Sequence, residues 1–414
     1  MTERPLVLVL LYVGFANGLG LPGVSSLTSA ITGGGGGGGS SLSGVLGAGG
    51  GTGGGAGGGG GGSSRIAACS KNTQFLCNYP PSGQGEQPVF LIGANIPWTD
   101  YNMGSFGDRK FFLLTLPDLY KFVLKVNLAG GNTIRLFLHN EGIGRPMGAP
   151  GNTVSLDIFQ TYLDELQDFI RFCHSNNIYV ILVLWNGGHV TPGLGHLKDL
   201  ITSETAIQAY INNALTPMVQ KLKDEPAVLG WDIINQPEGI MKKNVTDKND
   251  CWDNTYLEKK APGRKVGWAG ELVTPKELQK FINKLAAAIR KEYKSINLEP
   301  QITVSAYHMM TLTFQWQCKN LYNDFCLQAS GGEEEGYLSL WSTHAFDEKD
   351  KAEFDVYSIF EKPYAAYAMG GHNTPPRPLI ISEFTTKRGR PHSKWSLDKQ
   401  VDYLYRSGYA GRKT

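Results

Sequence analysis

Seven short apolar runs alternate with longer amphipathic stretches from Val89 onward, and this alternation limits the fold more than any other feature of the chain. The runs are Val89–Ala94, Thr133–Leu138, Tyr179–Leu184, Val228–Ile234, Gln301–Ser305, Tyr337–Ser342 and Leu379–Ser382. Helical periodicity falls between most of them, over Leu116–Ala129, Leu156–Asn176, Thr205–Lys223 and Thr274–Ser295, with a last stretch at Leu397–Ser407. Continuous apolar strands belong to a parallel sheet covered on both faces, so the pattern predicts an α/β chain folded as a (β/α)8 TIM barrel. The sequence reaches Thr414 before an eighth run, which predicts a barrel truncated before its eighth strand, with the first and seventh strands exposing unpaired edges.

The segment before the barrel reads differently. Arg4 precedes an 11-residue apolar stretch, Pro5 to Phe15, and Ala16 and Gly18 follow in the spacing a signal peptidase reads; residues 1–18 are expected to be a signal peptide and the protein secreted. Of 53 glycines, 21 fall between Gly33 and Gly62, so residues 19–64 are expected to be a disordered glycine- and serine-rich linker and residues 65–414 the catalytic domain. No later segment supplies the roughly 20 apolar residues of a membrane span. With 39 basic and 37 acidic residues the chain carries no field for gripping a phosphate backbone, which argues against nucleic acid as a partner. Six cysteines in a secreted chain suggest disulfides without fixing their pairing; Cys69 with Cys77 and Cys318 with Cys326 are nearest in sequence. No CxxC or HExxH spacing occurs, so neither a metal nor a cofactor is expected. Asn244-Val245-Thr246 is an N-glycosylation sequon.

Barrel chemistry sits at the C-terminal ends of the strands, and polar residues collect there. The first run ends in Asn95-Ile96-Pro97-Trp98; the second carries Arg135; the third ends Trp185-Asn186-Gly187-Gly188-His189. The fourth ends Asn235-Gln236-Pro237-Glu238-Gly239, the sixth His344-Ala345-Phe346 and the seventh Glu383-Phe384.

The segments Phe90–Trp98, Asn132–Gly142, Val183–Gly187, Ala227–Gly239 and Pro378–Phe384 resemble, in order, the motifs of glycoside hydrolase family 5, particularly its animal (mollusc-type) endo-β-1,4-mannanases. The resemblance implies a retaining endo-hydrolase acting through two glutamates on β-1,4-mannan or another β-linked polysaccharide, and the chain is expected to be a monomer. Glu383 would be its nucleophile, Arg135 the arginine paired with that nucleophile, Asn235 the contact to the sugar 2-hydroxyl, and His344 the strand-six histidine. Trp98, Trp185 and Trp268 are candidate faces for pyranose rings, and Trp185 is favoured because it ends a strand beside Asn186 and His189.

Two positions depart from the family pattern. Where the family carries a glutamate as general acid/base, this chain has Gln236, which fills the same volume and hydrogen-bonds but has no proton to give a leaving oxygen. Glu238, two residues on, is expected to stay on the loop. Phe346 stands where the family usually has a tyrosine touching the nucleophile. The sequence therefore supports two readings, an endo-β-1,4-mannanase and a catalytically inactive mannan-binding pseudoenzyme, and position 236 separates them.

Overall fold

The computed structural model describes residues 10–11, 65–79, 85–97, 109–139, 156–188, 196–260, 266–270, 272–307, 309–345, 376–384 and 397–409. The proposed linker, most of the proposed signal peptide, Trp98, His189 and Phe346 lie outside these residues. In chain order the strands are β1 (Leu10–Leu11), β2 (Arg65–Ala68), β3 (Leu76–Tyr79), β4 (Gln87–Val89), β5 (Gly93–Ile96), β6 (Thr133–His139), β7 (Tyr179–Asn186), β8 (Val228–Asn235), β9 (Gln301–Ala306), β10 (Trp341–Ala345) and β11 (Leu379–Phe384). The helices are α1 (Arg109–Leu128), α2 (Leu156–Ser175), α3 (His196–Thr202), α4 (Glu204–Tyr210), α5 (Thr216–Leu222), α6 (Thr255–Lys260), α7 (Pro275–Lys294), α8 (Asp324–Gly331) and α9 (Leu397–Arg406).

Strands β5 to β11 pair in parallel, each with the next along the chain, as a TIM barrel requires. The expectation of two bare edges needs correcting. Leu10 pairs with Gly93, and Leu11 pairs with both Ala94 and Phe384, so β1 sits between the first and last long strands and closes the ring. The physical reason is the unpaired backbone of those edges, which a short apolar extended segment satisfies. Among the described residues no strand follows α9, and the eighth place is held by two residues from the N-terminal apolar stretch.

The run Val89–Ala94 divides between two sheets. Gln87–Val89 joins β2 and β3 in an antiparallel sheet, while Gly93–Ile96 enters the barrel. The antiparallel sheet plugs the end of the barrel opposite the polar strand ends: Ile66, Leu76, Phe90 and Leu91 pack with Ile181, Leu229, Leu340 and Ile380 from barrel strands and the approach to β10. Arg65 fastens the plug by donating from Nη1 to the Lys223 carbonyl at 3.0 Å and from Nη2 to that of Asp224 at 2.9 Å. A disulfide, Cys69–Cys77, staples its first hairpin. The second disulfide joins Cys326 to Cys251 rather than to its sequence neighbour Cys318, and Cys173 and Cys318 lie outside both bridges.

The helices shield the barrel strands. The stretch expected as one helix over Thr205–Lys223 is broken by a π turn at Ile211–Leu215, where the Thr216 N–H reaches back to the Ile211 carbonyl. Pro217, lacking an N–H, removes the next α-helical bond and accounts for the wider turn. Helix α7 opens on a reciprocal cap: Thr274 accepts from the Glu277 N–H at 3.2 Å, and the Glu277 carboxylate accepts from the Thr274 N–H at 2.7 Å. Thr274→Ala should lower stability by about 1 kcal/mol. Urea unfolding with an unchanged slope and a lower midpoint would register that loss.

Candidate active site

Arg135 is the centre of the site. It projects from β6 into the barrel, is fully buried, and uses all five of its N–H donors. Nε and Nη2 bind Asp232 Oδ2 at 3.0 and 2.7 Å, Nη2 also binds Asn235 Oδ1 at 2.8 Å, and Nη1 binds Asn95 Oδ1 at 3.0 Å and Glu383 Oε1 at 2.8 Å. The arginine thus ties β5, β8 and β11 together from β6. A planar guanidinium suits the task because its donors diverge in fixed directions, which a lysine ammonium cannot reproduce.

A second layer holds these partners. Asn95 donates to the Ser382 carbonyl at 2.8 Å, Asn235 donates to Asn186 Oδ1 at 3.1 Å, and Ser305 offers both its N–H and its hydroxyl to Asp232. A chain of hydroxyls continues from Ser305 through Ser342 to Ser382 at 2.8 Å per step. Sequence reasoning missed Asp232 and Ser305. Asp232 did carry a signal, since a charged residue in an otherwise apolar buried strand needs a partner of opposite charge.

Glu383 is 3% exposed, and burial pushes its carboxyl up to about 7 even though the Arg135 guanidinium pulls it down. Asp232 adds a second negative charge that opposes ionisation. The other oxygen of Glu383, Oε2, lies 3.8 Å from His344 Nδ1.

Gln236 reaches the same imidazole. Its amide nitrogen is 3.1 Å from His344 Nδ1. Because both side-chain ends stand close to one nitrogen, the amide and the Glu383 carboxylate are less than about 7 Å apart. That bound accommodates the spacing of about 5–5.5 Å at which paired groups act in retention of configuration. The loop holding Gln236 is tightly made. Gln236 adopts a left-handed backbone (φ 48°), its N–H binds the Ser305 carbonyl at 2.8 Å, and Pro237–Ile240 forms a single 3-10 turn after it. Gly188 packs against it so closely that a Cβ there would collide with the Gln236 amide oxygen.

Glu238 does not face this junction. It is wholly buried, with one carboxylate oxygen accepting from the Tyr307 N–H and the other from the Thr311 hydroxyl, both at 2.9 Å. Both bonds aim it at the loop after β9, away from Glu383.

The tryptophans separate. Trp268 is half-buried, donates to the Gly188 carbonyl at 2.8 Å and stands with its ring 4.9 Å from that of Tyr307, which in turn lies 6.5 Å from His344. It therefore borders the junction, and Tyr307 is a neighbouring ring that sequence reasoning did not find. Trp185 is 4% exposed and packed between His139 and Tyr210, so no face of it is open to a sugar; here the structure corrects the favoured choice. Its position at a strand end gave no information on whether the ring turned inward or behind the strand. Among the described residues no group of histidine, cysteine and acidic side chains is arranged to hold a metal ion.

Residues 93–292 match the cellulase (glycosyl hydrolase family 5) family. The mannan endo-1,4-beta-mannosidase of Cryptopygus antarcticus is 31% identical over 331 residues, 80% of this chain and 81% of that protein. The enzyme of the same name from Mytilus edulis is 31% identical over 332 residues, 79% of this chain and 83% of its own length. The crystal structure of the blue mussel beta-mannanase superposes with a TM-score of 0.70 at 27% identity, covering 84% of this chain and 90% of that one.

Proposed function

Since the chain belongs to glycosyl hydrolase family 5, we propose that its cleft binds β-1,4-mannan with the nucleophile in place and the general acid absent. The observation that carries this reading is the pair of groups meeting at His344: a carboxylate held by Arg135 and, across from it, an amide. Retaining hydrolysis requires Glu383 to attack the anomeric carbon while a second group protonates the departing oxygen. Gln236 donates a hydrogen bond but cannot release a proton. General acid catalysis contributes about 10²–10⁴ in rate, so natural mannan is bound and cut very slowly. Glu238 offers no substitute acid, because two donors fix its carboxylate toward the β9 loop.

The Cryptopygus and Mytilus relatives, named for mannan hydrolysis, support mannan as the polymer. Asn235, held by Arg135 and Asn186, is the group proposed to meet the sugar 2-hydroxyl, and Trp268 the one proposed to offer a ring face. Reducing-sugar release and bound polymer, measured together on linear mannan with the unaltered protein, test the reading. Binding with little release is expected, and release at the rate of an ordinary glycosidase would overturn it.

An activated aryl mannoside, whose leaving group departs without a proton, should still transfer its sugar to Glu383. Attack needs the ionised carboxylate, so the rate should climb with pH up to a plateau above about 7 and show no falling alkaline limb from position 236. Mass analysis of the Glu383 peptide after mixing at pH 5 and pH 8 checks both parts.

Secretion and action as a monomer are proposed as well. Two disulfides and a sequon whose Asn244 lies on an exposed left-handed turn (φ 50°) support a secretory route.

A further inference from the structure

A cavity of about 770 Å³ lies between the loop that follows β8 and the segment running from Phe314 to Gln328 after β9. None of the active-site residues lines it. Its volume is within the range of about 300–1,000 Å³ typical of ligand sites.

Three features of the wall point to a ligand. Among the described residues four large apolar side chains are exposed, and two of them, Phe314 (41%) and Phe325 (69%), line this one cavity. Asn320, also in the wall, is 1% exposed, and its Nδ2 has no acceptor among the described residues. Asn249 and Gln328 add further amide groups at the rim.

The chemistry of the wall selects among occupants. An ion would require open charges, yet Asp324 is held by both Nη atoms of Arg377, at 2.8 and 2.5 Å, and Asp250 by Lys319 at 2.8 Å. An acyl chain would leave the amides unsatisfied. A pyranose has an apolar face for a phenyl ring and a fringe of hydroxyls for amides, and it matches both. The walls are also preformed. The Cys251–Cys326 bridge joins them across 75 residues, and Gln279 donates to the carbonyls of Cys251 at 2.7 Å and Leu321 at 2.8 Å.

We propose that this cavity is a second carbohydrate site, taking a segment of β-linked pyranose polymer outside the catalytic cleft. The proposal rests on the polysaccharide reading of the cleft for its substrate class, and on the cavity alone for the place. Calorimetry with mannotriose, and retardation in a gel containing soluble mannan, test it on the full chain, the double variant Phe314→Ala/Phe325→Ala and the cleft variant Asn235→Ala. The full chain should show two classes of site. The double variant should lose one class and about tenfold in gel retardation, with near-ultraviolet circular dichroism otherwise unchanged. Phe325→Tyr, which keeps the ring, should retain both classes.

An isotherm and a retardation unchanged in the double variant would overturn the proposal. Binding that survives Asn235→Ala but vanishes in the double variant would uphold the second site while removing the cleft reading, so the two failures are told apart.

Discussion

Gln236→Glu should raise the rate of hydrolysis of linear mannan by at least about 10²-fold, with little change in the affinity for the polymer. The substitution exchanges an amide for a carboxyl of the same length on a backbone already fixed by the Ser305 carbonyl and by the left-handed conformation at this position. Once ionised, the new carboxylate can only accept from His344, where the amide nitrogen of Gln236 can only donate. A second sign is the pH profile. With two titrating carboxyls the rate should become bell-shaped, rising as Glu383 ionises and falling as the new carboxyl at position 236 loses its proton. Initial rates from pH 4 to 9 on the purified variant measure both effects. A folded, mannan-binding variant that stays as slow as the parent would place the defect elsewhere in the site.

Arg135→Ala should cost about 3–5 kcal/mol of stability, several times the loss expected from removing the Thr274 cap. The reason is what it leaves behind. Asp232 and Glu383 would remain buried with no cation between them, and Asn95 and Asn235 would each lose a donor. The penalty has a pH dependence whose sign is fixed. Glu383 already titrates near 7, above its ordinary value near 4.5, so the folded state favours its protonated form and loses stability as the pH rises through that window. Removing the arginine takes away the force that lowers this value, so the variant should be hurt most near pH 8 and recover part of the difference near pH 5. Denaturant melts at the two pH values, parent against variant, give the comparison. A penalty equal at both would mean that the carboxylates find another cation.

The barrel is legible in the sequence because buried parallel strands are long apolar runs, and Thr133–Leu138, Tyr179–Leu184 and Val228–Ile234 each extend only slightly further in the structure. The run Tyr337–Ser342 is displaced, since β10 starts at Trp341. Its apolar residues serve other ends: Leu340 belongs to the plug, and the Tyr337 ring lies 3.6 Å from the Arg290 guanidinium. Apolar character alone cannot separate a strand from the segment that packs beneath it. Arg135, Asn235, Gln236, His344 and Glu383 stand out in the sequence as strand-end polar residues, and the structure brings them together. Asp232 and Ser305 do not, because their role depends on which neighbours face across the barrel interior, and a linear pattern does not encode that. The misplaced Trp185 has the same origin.

The pairing of Leu11 with Phe384 also sets an order of events during synthesis. The two residues are about 370 positions apart, so at about 5–20 residues per second β1 emerges from the ribosome some 20 to 75 seconds before its last partner exists. Over most of that interval β1 can pair with β5 along one edge while its other edge waits for β11. The ring of the barrel therefore closes only after nearly the whole chain has been made.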